Sequence, residues 1–230
     1  MVNQYILNNG HGKYVSGAKG QGKSENVEAE KITREVHRIL QEEYHGEGFL
    51  IDDNVSRTQT ANINYIVKES RKYPHAKIFC SIHLNSSTAT ATGSEVLYYD
   101  NIKLAEKMSK AVAESLKINN RGAKERKDLV VLRETTQSAI LIECFFITNP
   151  NDVANYMKYF NSMTHEIARV LAEELGYKKK KSSKTYTVQS GDNLYRIAKQ
   201  HKMSLDALKK LNPQIKDFNV ITVGQKVNIK

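Results

Sequence analysis

Four residues in this 230-residue chain combine reactive types with unusual settings. His83 closes the apolar run "IFCSIHL" just before Asn85, Ser86 and Ser87. Glu143 stands inside "AILIECFFI", residues 139–147, among hydrophobic neighbours and one cysteine. His11 lies in a glycine-flanked turn, "NNGHGK", and Glu25 opens a segment of helical periodicity. Burying an imidazole or a carboxylate costs several kcal/mol unless it is paired or bound to a metal. Two imidazoles and one carboxylate with a fourth position open make a common catalytic Zn2+ set. Plainer accounts cover each residue singly: a hydrogen-bonded core histidine, a glutamate favoured by a helix dipole, or half of a buried ion pair. Glu143 strains its plain account most.

The elements that must position these residues alternate between strand and helix. "YILNN" (5–9), "GFLID" (48–52), "AKIFCSIHL" (76–84), "SEVLYY" (94–99), "LVVLRE" (129–134) and "AILIECFFI" (139–147) read as strands. Helices are expected from Ser24, with Ile32, Val36, Ile39 and Leu40 on one face; over 60–73, stopped by Pro74; over 102–118; and from "NPND" to Gly176. Ser24 is a candidate cap, and Pro150 suits a first-turn position. Such alternation predicts an α/β fold, a sheet flanked by helices on both faces. Ligands of open α/β sheets sit at the carboxyl ends of strands, so His11 and His83 should share one rim. The other histidines fit surface or turn positions: His37, His45, His75, His165 and His201.

"YKKKKSSK" (177–184) is a basic linker with nothing apolar to bury. It divides a first domain, 1–176, from a second, 185–230. The second reads strand–helix–helix–strand (βααβ), with a core of Val188, Leu194, Ile197, Leu205, Leu208, Leu211 and Val227. The net charge of +10 is concentrated there: residues 178–230 hold 13 Lys and Arg against 3 Asp and Glu, while 1–177 hold 22 of each. A polyanionic partner is implied, whether nucleic acid, anionic lipid or an anionic cell wall. No run approaches the ~20 apolar residues of a membrane helix, which argues against membrane insertion. The N-terminal stretch has no basic segment followed by a long apolar one, so no signal peptide is expected and the chain should fold in a cytoplasm. Cys80 and Cys144 lie in strand-like segments and read as reduced core thiols.

"GHG" after a strand, Glu25 at the first helix, "SIHLNSS", "GSEVLYY", "NRGAK" and "LIECFFITNPND" together resemble the zinc-dependent N-acetylmuramoyl-L-alanine amidases of the Amidase_3 class. The resemblance runs from about residue 3 to 175. It implies an enzyme that cuts peptidoglycan between N-acetylmuramic acid and the first L-alanine of the stem peptide. It also implies Zn2+ on His11, Glu25 and His83, with Glu143 as the catalytic carboxylate. Glu28, one turn on, is a rival ligand. The family's usual aspartate before the glycine–histidine turn is replaced, since the chain reads Asn8-Asn9-Gly10-His11. That loss implies an altered environment for the histidine.

The tail, "YTVQSGDNLYRIAKQHKMSLDALKKLNP" followed by "VGQKVNIK", resembles a LysM module, which binds N-acetylglucosamine-containing glycans. By that resemblance the sugar groove falls between Gly191, Asp192, Asn193 and Leu194 on one side and Asn212, Pro213 and Ile215 on the other. The basic excess then suits phosphate-rich teichoic acid better than nucleic acid, because the few tail aromatics fit the module's core. Without a signal peptide, the resemblance implies a phage endolysin held in the host cytoplasm until a holin pore releases it to the wall. Two other readings remain open: a zinc peptidase cutting within the stem peptide, and a non-catalytic wall-binding protein.

Overall fold

The computed structural model describes residues 3–180 and 184–230 and divides the chain into two compact units, Met1–Lys179 and Lys180–Lys230. Part of the expected linker, residues 181–183, lies outside the described residues.

In the first unit, β1 (Gln4–Asn8) leads through a short hairpin, β2 (Lys19–Gly20) and β3 (Lys23–Ser24), into α1 (Glu25–Tyr44). There follow β4 (Glu47–Ile51), α2 (Gln59–Ser70), β5 (Ala76–Asn85), β6 (Ser94–Tyr98), α3 (Ile102–Leu116), β7 (Asn120–Glu125), α4 (Val130–Arg133), β8 (Ser138–Phe146) and α5 (Pro150–Leu175). The six-stranded sheet has the order β4-β1-β5-β8-β6-β7. Strands β4, β1, β5 and β8 are mutually parallel; β6 runs antiparallel to β8, and β7 parallel to β6.

Strand alternation explains how one apolar run serves two purposes. Cys80, Ile82 and Leu84 of β5 and Ile140, Ile142 and Cys144 of β8 pack into one core with α1, α3 and α5. Phe79, Ala139 and Leu141 pack on the opposite face with Ile66 of α2 and Leu132 of α4. On that second face β5 continues Phe79-Ser81-His83, and β8 continues Ala139-Leu141-Glu143. The polar ends of both series reach the rim, while the first face stays apolar throughout.

Helix α1 seats Ile32, Val36, Ile39 and Leu40 in the first core, each fully buried. Burial of such side chains contributes about 1.5–3 kcal/mol apiece. Ser24 is its N-cap residue, but its hydroxyl donates to Asn26 Oδ1 (2.7 Å) and Ser16 O instead of capping the helix. Helix α5 starts with Pro150 in its first turn, and Asn149 accepts from the backbone N–H of Asn151 and Asp152. Asp152 also accepts from Gly93 N and Phe146 N, tying the start of α5 to the loop before β6.

One expected strand is a helical turn. Residues 129–134 carry α4, closed by Arg133 N to Leu129 O (3.0 Å) and Glu134 N to Val130 O (2.8 Å). The strand that fills the sheet edge is "NRGAKE", β7, which pairs only with β6. An exposed edge strand needs no apolar alternation, so its sequence carries no strand signal.

The second unit contains β9 (Thr185–Thr187), α6 (Leu194–Gln200), α7 (Leu205–Leu211) and β10 (Lys226–Asn228), with β9 and β10 antiparallel. Val188, Leu194, Ile197, Leu208 and Val227 are buried there as expected, joined by Ala198 and Ile215. Leu205 only flanks this core, and Leu211 is exposed, because a seven-residue helix turns only part of its surface inward.

Candidate active site

The structure brings His11, Glu25 and His83 together. Oε1 of Glu25 lies 3.1 Å from Nε2 of His11 and 3.0 Å from Nδ1 of His83. The two imidazoles meet edge to face, with ring centres 5.0 Å apart. One ligating atom from each residue falls within 4.8 Å of the others, the only such set among the described residues.

Backbone groups fix the carboxylate. Leu84 N, on β5, donates to Oε1 (3.1 Å), and Ala18 N, ahead of the β2–β3 hairpin, donates to Oε2 (2.8 Å). Burial pushes the Glu25 carboxyl up, but hydrogen bonds and charge from His11 and His83 outweigh it and hold the group well below the usual carboxylate range. Burial pushes the His83 imidazole down, partly offset by Glu25, so the ring favours its neutral, ligating form.

Two glycines make room for the cluster. A Cβ on Gly10 would stand 2.2 Å from Nε2 of His83, and one on Gly17 would stand 2.5 Å from Oε2 of Glu25. Both have positive φ, +66° and +64°, which suits glycine. A neutral imidazole, an ionised carboxylate and a second imidazole, converging on one point, fit a divalent ion of zinc type.

Glu143 is the lateral neighbour of His83 in the β5–β8 ladder. Its side chain lines the same cleft as the cluster, a space of about 370 Å3. Its Oε2 is sealed from solvent with no hydrogen-bond partner among the described residues. Burial pushes the carboxyl up to about 8, and the charges of Glu25 and Glu95 add to the rise.

Glu28, the rival ligand, is engaged elsewhere. Tyr156 donates its hydroxyl to Oε2 (2.8 Å), and Lys31 and Lys23 approach Oε1. Asn8, where the family's usual aspartate would stand, makes no side-chain hydrogen bond to His11. Its amide donates to Ile51 O (2.9 Å) and accepts from Gly10 N (2.8 Å) and Ser81 Oγ (3.0 Å), pinning the turn to the sheet. His11 Nδ1 is buried without a partner among the described residues. Three of the remaining histidines serve locally: His37 meets Tyr5, His45 caps α1, and His165 pairs with Glu43.

Sequence reasoning missed the rest of the cleft wall. Ala18 enters just ahead of a hairpin of two-residue strands, too short to carry a pattern. Val130 enters through the segment read as a strand, and Arg126 through the residues between β7 and that segment.

In the second unit a separate cleft lies between Asp192, Asn193, Leu194 and Tyr195 on one side and Phe218, Asn219, Val220 and Ile221 on the other. Asn212, Pro213 and Ile215 do not line it. Asn212 is fully buried and clips α7 to β10, donating to Leu208 O and Asn228 O and accepting from Asn228 N. Ile215 belongs to the core. Gly191 shapes the adjoining turn at φ +86°.

Comparison with known proteins gives a match to each part of the chain. The Amidase_3 family, described as N-acetylmuramoyl-L-alanine amidase, matches residues 6–175, and the LysM domain matches 186–230. A sporulation-specific N-acetylmuramoyl-L-alanine amidase of Bacillus subtilis is 30% identical over 95% of this chain and 83% of its own length. An endolysin of Bacillus phage SPP1 is 30% identical over 76% of this chain and 66% of its own. A 50% identical match to an endolysin of Bacillus phage PZA spans only 21% of that protein. The catalytic domain of CwlV, an N-acetylmuramoyl-L-alanine amidase from Bacillus (Paenibacillus) polymyxa var. colistinus, superposes with a TM-score of 0.67 at 27% identity, covering 76% of this chain and 99% of that one. The chain belongs to the N-acetylmuramoyl-L-alanine amidase family, joined to a LysM domain.

Proposed function

We propose that the chain is a zinc-dependent hydrolase that cuts the amide bond between N-acetylmuramic acid and L-alanine in peptidoglycan. The observation that carries this reading is the convergence of His11 and His83 on one oxygen of Glu25, in the cleft that Glu143 lines.

His11, Glu25 and His83 would hold the ion. Zinc there would supply Lewis acidity, acidifying water and polarising the scissile carbonyl. Glu143 takes a proton from the attacking water as the new C–O bond forms. The C–N bond then breaks, and Glu143 returns that proton to the departing L-alanine nitrogen. The apolar strand raises the carboxyl's proton affinity, and a dication held by His11, Glu25 and His83 would lower it toward the ionised form. The test is mass analysis of digested walls. Free lactyl carboxylates with new L-alanine N-termini are expected; cuts within the stem peptide would overturn the assignment.

The LysM domain supports delivery to N-acetylglucosamine-containing glycan. The cleft beside Tyr195, which is 62% exposed, offers an aromatic face for a sugar ring. The lysines of the tail add attraction to anionic wall polymers of the teichoic acid type. The role proposed is that of a phage endolysin, supported by the likeness to the phage SPP1 protein over three quarters of this chain. Lysis only after the membrane of an expressing cell is permeabilised would agree with it; lysis on expression alone would oppose it.

A further inference from the structure

The active-site cleft runs away from the ligand cluster across the face of the sheet. Its floor passes from Glu143 to Leu141 and Leu97, and its far wall carries Arg126 and Val130. Glu25 and Glu143 place two carboxylates at one end. Arg126 is the one permanent cation among the described residues that line it.

The Arg126 side chain is oriented before any ligand arrives. Its backbone N–H donates to Tyr98 O, extending the β6–β7 pairing. Its Nε and Nη2 donate to the two oxygens of Asp128, each at 2.8 Å. That fork leaves Nη1 without a partner among the described residues, and the planar guanidinium fixes where its hydrogens point.

The register sets the reach. Tyr98 pairs with Ile140, three residues before Glu143. Three strand residues span about 10 Å, which the long arginine side chain shortens. An extended peptide advances about 3.3–3.6 Å per residue. A group on the second residue of a stem peptide, bound with its first amide beside Glu143, therefore arrives near Arg126. The lactyl carboxyl is consumed in the scissile amide, so the free carboxylate nearest that bond lies on the peptide.

We infer that Arg126 recognises a carboxylate on the residue following the first L-alanine, making it a specificity-determining residue of this cleft. The inference rests on the amidase reading for the direction in which substrate lies. It separates chains bearing a free carboxylate at that position from those in which it is amidated.

The test uses two matched N-acetylmuramoyl-L-alanyl-γ-D-glutamyl substrates, one with a free α-carboxylate and one with the carboxamide. The wild type should favour the carboxylate. Arg126→Gln should raise KM for it about tenfold or more, with kcat within about twofold, and leave the carboxamide nearly unaffected. Binding of both compounds is also measured on zinc-loaded Glu143→Gln chain, with and without Arg126→Gln. Equal losses on the two compounds, or none, in turnover and in binding would overturn the inference. Arg126-dependent binding without wild-type cleavage would support Arg126 recognition and count against the amidase reading alone.

Discussion

The imidazole of His83 rests against the bare Cα of Gly10, so closely that any Cβ there would penetrate the ring. The turn that carries His11 and the strand that carries His83 are thus fitted to each other through a missing side chain. Gly10→Ala should displace His83 and add strain at φ +66°, of about 1–2 kcal/mol. Zinc content after dialysis should fall well below one ion per chain, with activity down at least 100-fold and far-UV circular dichroism nearly unchanged. Full zinc occupancy in that variant would contradict the fit.

Glu143→Gln keeps the shape of the side chain and removes its base. Zinc content and thermal midpoint should stay near wild type. Turnover should drop about 10²–10⁴-fold, the usual worth of general acid–base catalysis. Wall lysis at near wild-type rate would remove Glu143 from the mechanism.

Glu28 is assigned to stability. Burial pushes its carboxyl up, but hydrogen bonds from Lys31 and Tyr156 and the charges of Lys23 and Lys31 outweigh it, leaving the group below its ordinary value. A carboxyl depressed in the folded state contributes stability above its unfolded pKa of about 4.3 and loses it as pH falls through the folded value. Urea midpoints of metal-free chain between pH 6 and pH 3 should decline more steeply for the wild type than for Glu28→Gln. Tyr156→Phe should cost about 1–3 kcal/mol near neutral pH by removing a buried donor. Zinc affinity should be unaffected in both variants.

The basic excess of the tail predicts salt-sensitive wall binding. Glu143→Gln chain should pellet with intact walls at low ionic strength and progressively less as salt rises, since exposed charges are screened beyond about 8–10 Å. Walls stripped of teichoic acid should lose that sensitivity. Binding indifferent to both changes would contradict the electrostatic contribution.

The sequence carried the four reactive residues and the order of most elements because buried strands and amphipathic helices write strong patterns. The apolar run around Glu143 held more than its composition suggested: read with period two, Ala139-Leu141-Glu143 and Phe79-Ser81-His83 already separate one face that ends in chemistry from one that does not. The sequence carries no strand signal for β7 and a misleading one for α4, for opposite reasons. An edge strand of polar residues is held by backbone pairing to β6, whereas "LVVLR" is rich in strand formers yet closes a single local turn. The groove expected from the resemblance and the cleft of the second unit share only one side. Asp192, Asn193 and Leu194 border the cleft, but Asn212 and Ile215 were drawn inward, to backbone acceptors and core contacts far apart in sequence.

The proposed zinc site is tested most directly by anomalous diffraction from zinc-loaded crystals, recorded on both sides of the zinc edge. One peak per chain is expected, about 2.0–2.2 Å from Nε2 of His11, Nδ1 of His83 and a carboxylate oxygen of Glu25. A zinc peak at Glu28 or elsewhere, or no peak between the two imidazoles, would contradict the account.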